Sequence, residues 1–186
     1  EGKIFYGIKT GLNEAFVINE ETKNKLIAED PKSVEIIKPF LAGRDIKRYK
    51  QRESTSWLIF TRRGIVIKNY PAILNHLEKY KEQLKPKPRD WPQNKEWPGR
   101  KPGSYQWYEV QDSIDYYEEF EKDKIILPAI VNVATATYDI ENFYSNDKTS
   151  IIAAKDKYLV GLLNHPLMTY IYKTIASSKQ GGYFEQ

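Results

Sequence analysis

Apolar residues in the first half of the chain fall into short runs of strand length and into stretches with helical spacing. The runs at residues 4–8 and 15–18, separated by a glycine-containing turn, predict a β-hairpin, and the run at 57–61 predicts a further strand. Asn19, followed by two glutamates, predicts the start of a helix that reaches about Ala28, because anionic side chains favour the first helical turn.

The second half continues this mixture. Pro71 predicts the start of a helix with apolar residues at helical spacing to Leu84, and residues 89–103, rich in proline and glycine, predict a long irregular loop. Four further runs are typical of strands: 124–128, 131–138, 143–144 and 150–154. The last 30 residues predict one helix broken near Pro166 or two successive helices. The pattern predicts an α+β fold with a mixed or mostly antiparallel sheet, flanking helices and long irregular loops.

The composition is that of a folded protein. Of the 186 residues, 40% are hydrophobic, 13% aromatic and 29% charged, and the mean hydropathy is −0.65. No apolar run approaches the roughly 20 residues of a membrane-spanning helix, so we expect no membrane partner. The lack of cysteine excludes disulfides and cysteine metal sites, and it is compatible with a cytoplasmic location. We expect residues 1–186 to form a single domain, with possible sub-lobes 1–103 and 104–186, excised from a longer protein.

Charge is unevenly distributed along the chain. Residues 38–103 contain 17 basic and 6 acidic residues, a net charge of +11, whereas residues 104–147 contain 2 basic and 10 acidic residues, a net charge of −8. A basic segment of this size is typical of a surface that binds nucleic-acid phosphates. The alternative is that the acidic segment neutralises the basic one within the fold, because segregation along the sequence need not become segregation in space.

Residues that could support catalysis or bind a metal ion are few and scattered. His76 and His165 lie far apart in the sequence, and the glycine pair at 181–182 lacks the spacing of a phosphate-binding loop. Carboxylate-x-lysine triplets at 21–23 and 45–47 match a local form found in many nucleases, but 25 acidic and 29 basic residues produce such triplets by chance. We therefore predict no catalytic residue, no metal site and no cofactor in this chain.

Arginine and lysine residues interleave with aromatic residues through the middle of the chain, a mixture that suits nucleic acid. Arginine can pair with a guanine edge, lysine with a phosphate, and aromatic rings can stack on bases. Arg62 and Arg63 follow a predicted strand and precede a glycine, so we expect them to project at a turn. The loop at 89–103 is expected to enter a groove of DNA, unless Trp91 and Trp97 fold back and pin it on the core.

The candidate DNA-binding residues are basic or polar side chains in or near turns and loops. They are Lys9, Thr10, Arg44, Lys47, Arg48, Arg62, Arg63, Arg89, Lys95, Arg100, Lys101, Tyr105, Asn132 and Lys148. Trp57, in a predicted strand, and Trp107, after the long loop, are more typical of core residues than of DNA contacts.

Several segments resemble one protein family. The longest are GIKTGLNEAFVI at 7–18 and KPFLAGRDIKRY at 38–49, followed by WLIF at 57–60. Shorter matches are YPAI at 70–73, QWYE at 106–109, KIILP at 124–128 and GGY at 181–183. These motifs resemble the TaqI-like C-terminal specificity domain, the target-recognition domain of adenine-N6 DNA methyltransferases and of type IIG restriction-modification enzymes. The resemblance covers nearly the whole chain.

The resemblance implies a module that recognises a double-stranded DNA sequence and positions an N-terminal methyltransferase domain of the same polypeptide. The chain itself would then be no enzyme, whereas the parent protein would methylate adenine in DNA, with or without endonuclease activity. The Asn-Pro-Pro-Tyr/Phe motif of such methyltransferases does not occur here, so no S-adenosylmethionine binding is expected. Residues shared by family members that read different sequences are assigned to turns: Gly7, Gly11, Gly43 and Asp45. Base contacts are assigned to loops that would face the DNA: 62–64, 89–103 and 132–146.

A second interpretation is a non-catalytic protein-interaction or scaffold domain in a DNA-modification or phage-defence assembly. The net charge of −8 in residues 104–147 could dock a basic partner. Salt-dependent binding to duplex DNA distinguishes this interpretation from a DNA recognition domain.

Overall fold

The structure is a computed structural model that describes residues 3–51 and 55–186. The chain separates into two compact units. Unit 1 combines the described residues within 1–7, 41–54 and 116–186, and unit 2 combines those within 8–40 and 55–115. Neither unit is one continuous stretch of chain, and the expected sub-lobe boundary between residues 103 and 104 falls inside unit 2. That residues 1–186 form one target-recognition domain stays a prediction.

Short strands and helices alternate along the described part of the chain. The strands are β1 (Ile4–Tyr6), β2 (Val17–Asn19), β3 (Ile37–Leu41), β4 (Ile46–Lys47), β5 (Lys50–Gln51), β6 (Ser56–Ile59), β7 (Lys124–Pro128), β8 (Ile130–Val131), β9 (Thr137–Asp139), β10 (Tyr144–Ser145), β11 (Thr149–Ile152) and β12 (Phe184–Glu185). The α-helices are α1 (Asn13–Phe16), α2 (Glu20–Glu29), α3 (Pro71–Glu78), α4 (Lys81–Leu84), α5 (Lys157–Leu163) and α6 (Pro166–Ile175). Short 3-10 helices cover Pro31–Glu35, Gly43–Asp45, Ile67–Asn69, Tyr117–Glu121 and Gln180–Gly182. Within residues 3–51 and 55–186, no helix is long and apolar enough to cross a membrane.

Unit 1 is built on a four-stranded antiparallel sheet in the order β1-β11-β7-β9. Ile125 of β7 lies opposite Ile152 of β11, and both side chains are buried in a cluster with Ala136 and with Val160 of α5. Two smaller antiparallel pairs, β8 with β12 and β4 with β5, also belong to this unit.

A buried ion pair lies inside the sheet of unit 1. Lys124 of β7 is opposite Asp139 of β9, and both side chains are 0% exposed. The Lys124 ammonium also donates to the Phe120 carbonyl at 2.7 Å, and the Asp139 carboxylate accepts from the backbone N–H groups of Glu141 and Phe143 at 2.9 and 3.0 Å. Burial lowers the pKa of Lys124, although the Asp139 carboxylate acts in the opposite direction. Each charge is therefore tolerated in the interior because the other is present.

Unit 2 contains an antiparallel group of three strands, with β6 between β2 and β3. The chain leaves β2 directly into α2, where the Asn19 side chain accepts from the Thr22 N–H at 2.9 Å and caps the helix. Helix α3 starts at Pro71 and buries Ile73 and Leu77 completely. The sequence signals for both helix starts therefore correspond to real caps or first turns.

The predicted α+β class with mostly antiparallel strands is confirmed. The strands predicted at 57–61, 124–128 and 150–154 correspond to β6, β7 and β11, and the terminal helical region forms two helices that separate at Pro166. The helix predicted for 71–84 is helical at both ends, but it forms two helices, α3 and α4, rather than one continuous helix.

The hairpin predicted for residues 4–8 and 15–18 is wrong. β1 pairs with β11, so that Phe5 lies opposite Ile151, whereas β2 pairs with β6 in the other unit. Residues 13–16 form the short helix α1, which buries the adjacent side chains of Ala15 and Phe16. Neighbouring residues point to opposite faces of a strand, so two adjacent buried side chains fit a helical turn better than an amphipathic strand.

The continuous strand predicted for residues 131–138 is also wrong, because residues 132–136 separate β8 from β9. Side chains, rather than a neighbouring strand, accept hydrogen bonds from the backbone in this segment. The N–H of Ala134 donates to Thr169 Oγ1 at 3.0 Å, that of Thr135 to Gln186 Oε1 at 3.1 Å and that of Ala136 to Asn164 Oδ1 at 2.8 Å. These side chains satisfy the backbone, so the alternating pattern does not lead to a sheet.

Candidate nucleic-acid interface

The β4–β5 hairpin presents basic side chains at the surface of unit 1. A two-residue turn, Arg48 and Tyr49, joins the strands, and Lys47 lies directly opposite Lys50. All four side chains are exposed, and Tyr49 has a φ of +65°. Like charges directly opposite each other destabilise a strand pair, so this arrangement favours an anion that would lie between them.

A tight turn before the hairpin brings Lys148 into the same region. A Cβ at Gly43 would lie 2.9 Å from the carbonyl oxygen of Lys148, so the close approach requires glycine. Asp45 closes this turn by accepting from the Ala42 N–H at 3.0 Å. Gly43 and Asp45 thus lie in a turn, as expected. We call the following exposed side chains the hairpin surface: Arg44, Lys47, Arg48, Tyr49, Lys50 and Lys148.

A buried asparagine, Asn164, holds the tip of the hairpin. Its side chain bonds both the N–H and the carbonyl of Ala136, each at 2.8 Å. The Ala136 carbonyl also accepts from the Tyr49 N–H at 3.0 Å, and the Arg48 guanidinium donates to the Asn164 carbonyl. Both turn residues are therefore tied to unit 1. Asn164 follows the last residue of α5, a position where the sequence indicates only a helix end, so its supporting role could not be predicted.

In unit 2, Arg100 occupies the interior rather than the surface. Its side chain is 4% exposed, and Gly11, with a φ of +82°, leaves the space through which it passes. Five backbone carbonyls accept hydrogen bonds from the guanidinium at 2.7–3.3 Å: those of Thr10, Leu84, Gln106, Trp107 and Glu109. Burial lowers the pKa of Arg100 to about 10, while the neighbouring Tyr105 acts in the opposite direction. The guanidinium thus joins three segments of unit 2.

Arg63 is bound within unit 2 by a buried carboxylate. Its guanidinium donates to Glu109 Oε2 at 3.0 Å and to the carbonyls of Val110 and Gln111 at 3.2 and 3.1 Å. The Glu109 side chain is 3% exposed and also accepts from the Gly64 N–H at 2.7 Å. Arg63 therefore satisfies a buried charge, whereas its neighbour Arg62 is exposed.

We expect Arg63→Ala to lower the free energy of unfolding by about 1–3 kcal/mol, because it leaves the Glu109 carboxylate buried without its cation. Arg89→Ala, the matched control at an exposed arginine of the same unit, should change it by about 0.5 kcal/mol or less. Urea unfolding followed by circular dichroism measures both values. Equal losses for the two variants would contradict a structural role specific to Arg63.

The loop at 89–103 contains no helix or strand, as predicted, and its two tryptophans fold back on it. The Trp91 and Trp97 rings meet edge to face at 4.7 Å, and the Trp97 indole N–H donates to the Lys85 carbonyl at 3.2 Å. The Lys87 N–H donates to the Arg100 carbonyl at 3.0 Å and closes the base of the loop. The rings are therefore engaged within the loop region, and a role of the loop in DNA binding stays a prediction.

The sequence-predicted DNA-binding residues divide by exposure. The exposed ones are Arg44, Lys47, Arg48, Arg62, Arg89, Lys95, Lys101, Asn132 and Lys148. Lys9 and Arg63 are half-buried, and Thr10, Arg100 and Tyr105 are buried. Arg44, Lys47, Arg48, Asn132 and Lys148 belong to unit 1, where the backbone of Lys148 lies against Gly43, and the remaining residues belong to unit 2. The role of every one of them in DNA binding stays a prediction.

Trp57 and Trp107 are only half-buried, so the expectation that they are core residues holds in part. A lysine covers each ring: the Lys23 ammonium lies 3.8 Å from the centre of Trp57, and the Lys81 ammonium lies 4.8 Å from that of Trp107. Both rings are therefore engaged within unit 2.

Titratable side chains do not assemble into a metal site in the described part of the chain. No group of three or more histidine, aspartate or glutamate side chains is placed to hold an ion there. His76, which was far from His165 in the sequence, instead bonds the Ala15 carbonyl at 3.1 Å, and burial lowers its pKa.

Comparisons with known proteins agree with one another. The family model described as "TaqI-like C-terminal specificity domain" matches residues 38–186. The type II methyltransferase M.MjaIV of Methanocaldococcus jannaschii is 26% identical over 132 residues, which make up 69% of this chain and 40% of that protein. The type IIL restriction-modification enzyme MmeI, solved in complex with DNA, matches 100% of this chain and 23% of its own with a TM-score of 0.67 at 17% identity. This chain thus spans less than half of either protein, and the likeness to MmeI concerns the fold.

Proposed function

This chain belongs to the TaqI-like C-terminal specificity domain family, and from that membership we propose that it recognises a double-stranded DNA sequence for a restriction-modification enzyme. The observation that carries the proposal is the hairpin surface of unit 1. Five cations lie on it, at Arg44, Lys47, Arg48, Lys50 and Lys148, and all are exposed. Such a cluster is suited to the phosphates of a duplex, which contribute most of the affinity but little of the sequence preference.

Among the described residues, most cations of the hairpin surface have no carboxylate partner. Within residues 3–51 and 55–186, no ion pair joins a carboxylate to Arg44, Lys47, Lys50 or Lys148. By contrast, the Arg63 charge of unit 2 is balanced by Glu109. Lys47 and Lys50 lie opposite each other and repel, so an anion that binds near them lowers the electrostatic energy of the group.

The parent protein is proposed to be an adenine-N6 DNA methyltransferase with its methyltransferase domain N-terminal to this chain, with or without an endonuclease. The name of the M. jannaschii relative supports the methyltransferase activity, and the 40% of its length that this chain matches leaves room for another domain there. A cytoplasmic location follows from this substrate, because the enzyme works where the DNA is.

We expect the chain to bind duplex DNA with strong salt dependence. If the basic surfaces neutralise about 4–6 phosphates, the log–log slope of affinity against salt concentration is roughly −4 to −5. Fluorescence anisotropy with a labelled duplex at several salt concentrations measures it. A slope near zero, or affinity unchanged in high salt, would contradict DNA binding.

The double variant Lys47→Ala/Lys50→Ala locates this binding. It should reduce the magnitude of the slope by about 1.8, since each neutralised phosphate contributes about 0.9. Lys157→Ala/Lys173→Ala is the matched control, because it removes the same charge from exposed positions on α5 and α6 of the same unit. Equal changes in the salt slope for the two double variants would show that the hairpin is not the DNA-binding surface.

A further inference from the structure

Two consecutive four-residue turns, residues 88–95, form the first part of the long loop in unit 2, and we call them the double turn. In each turn the N–H of the fourth residue donates to the carbonyl of the first: Trp91 to Pro88 at 3.3 Å and Lys95 to Pro92 at 3.2 Å. A proline therefore opens both turns, and its ring fixes one backbone angle there. The double turn thus has a defined backbone although it contains no helix or strand.

The two tryptophans of the loop support the double turn from within. The Trp91 indole N–H donates to the Lys95 carbonyl at 3.0 Å and joins the fourth residues of the two turns. The Trp97 ring packs on Trp91, and a Cβ at Gly99 would lie 2.6 Å from Trp97 Nε1, so the chain beside this ring requires glycine. A loop that is ordered by its own side chains loses less entropy when it meets a ligand.

The corners of the double turn display four polar side chains: Arg89, Asp90, Gln93 and Asn94. All four are exposed, and within residues 3–51 and 55–186 none of them makes a hydrogen bond or an ion pair through its side chain. The four belong to the residue types that pair with base edges in the major groove, since arginine pairs with guanine, asparagine and glutamine with adenine, and aspartate with cytosine.

The double turn also lies outside the segments that resemble the family. Those segments end at residue 73 and resume at residue 106. Segments shared by members that recognise different DNA sequences cannot set the sequence preference, so the preference has to come from residues between or beyond them. The hairpin surface, most of which lies in a shared segment, is by the same reasoning suited to phosphates, whose contacts carry no sequence information.

We propose that the double turn determines sequence preference and that Gln93 and Asn94, at its second corner, contact adenine in the major groove. The inference rests on the proposed DNA-recognition function. A side-chain amide supplies an acceptor for the adenine N6–H and a donor for N7, and this combination of groups occurs on no other base edge in that groove. Both side chains are uncharged, so their contribution is separable from the salt-dependent contribution of the cations.

The double variant Gln93→Ala/Asn94→Ala tests the proposal. The preferred sequence is first selected from a random duplex library with the unmodified 186-residue chain, and the affinity ratio between the selected and a scrambled duplex is then measured by anisotropy. We expect the double variant to lower this ratio about tenfold, within the range of one good base contact. The salt slope should stay unchanged because no charge is removed, and the melting temperature should change little because both side chains are exposed.

Asn24→Ala/Gln83→Ala is the matched control. It removes the same two side-chain types from exposed positions on α2 and α4 of the same unit, and it should leave the affinity ratio unchanged.

Modified duplexes identify the contacted base. Replacing each adenine of the selected duplex in turn by 7-deazaadenine removes the N7 acceptor and keeps the Watson–Crick pair. At one or more positions this change should weaken binding by the unmodified chain but not by Gln93→Ala/Asn94→Ala. If no position distinguishes the two proteins, the contact with adenine is refuted.

The outcomes separate this inference from the proposed function. If the unmodified chain prefers a sequence and Gln93→Ala/Asn94→Ala retains that preference, the double turn is not the specificity element, and DNA recognition stands. If the control double variant lowers the affinity ratio as much, the effect is not specific to the double turn and the inference fails. If the unmodified chain binds no duplex, or binds all duplexes equally, both the proposed sequence recognition and the role of the double turn are overturned.

Discussion

Arg100→Met is expected to lower the free energy of unfolding by about 3–5 kcal/mol, because it leaves several buried carbonyl groups without a hydrogen-bond donor, at about 1–3 kcal/mol each before relaxation. Methionine retains much of the apolar stem but none of the five N–H donors of arginine. The carbonyls of Thr10, Leu84 and Glu109, each within 2.8 Å of the guanidinium, then lose this donor. Urea unfolding at neutral pH, followed by circular dichroism, measures the loss.

Arg89→Met and Arg100→Lys are the controls for this prediction. Arg89 lies on the same loop but is exposed, so its replacement should change stability by about 0.5 kcal/mol or less. Arg100→Lys keeps the charge, but a lysine has three donors on one nitrogen and cannot span five carbonyls. We expect it to lose most of the stability lost in Arg100→Met. If Arg100→Lys is as stable as the unmodified chain, the charge alone, rather than the five hydrogen bonds, holds the three segments of unit 2 together.

Arg100 also shows why composition could not separate binding arginines from structural ones. The sequence places it in a basic, aromatic, aperiodic loop, where nothing marks a residue as buried. Its burial depends on carbonyls contributed by residues up to 90 positions away in the sequence. Arg63 presents the same difficulty, because its partner Glu109 is 46 residues distant. Exposed cations such as Lys47 and Lys95 look the same in the sequence as these two arginines.

Local signals, by contrast, were reliable where the interaction that decides the structure is itself local. Asn19 and Pro71 mark helix starts through contacts or dihedral angles within one turn, and both are confirmed. The failures came where a distant group decided the outcome. Residues 132–136 alternate like a strand, but Asn164 and Gln186, from the C-terminal part of the chain, take the hydrogen bonds that a neighbouring strand would take.

The hairpin surface could be predicted in part for the same reason. Four of its six residues, from Arg44 to Tyr49, lie within the motif at 38–49, so most of the charge and the turn were visible in the sequence, whereas Lys50 and Lys148 lie outside the motif. The supporting role of Asn164 could not be predicted from the sequence. Asn164, at the end of α5, and Tyr49, in the hairpin, are linked only because both donate hydrogen bonds to the Ala136 carbonyl. The left-handed conformation of Tyr49 fits the two-residue turn of the hairpin, but the residue type gives no signal for it, since tyrosine does not favour this conformation.

Asp139→Asn is expected to lower the free energy of unfolding by about 3–5 kcal/mol, because it leaves the Lys124 ammonium buried without its counter-charge. Asparagine has nearly the same shape, so the change acts through charge and hydrogen bonding rather than through a cavity. The double variant Lys124→Met/Asp139→Asn removes the unpaired cation as well and should be more stable than Asp139→Asn alone.

Lys122→Met, at an exposed lysine two residues from Lys124, is the control and should change stability by about 0.5 kcal/mol or less. Urea unfolding of these three variants and of the single variant Lys124→Met measures the differences. A double variant that loses as much as the sum of the single losses of Asp139→Asn and Lys124→Met would show that the two charges do not depend on each other in the folded protein.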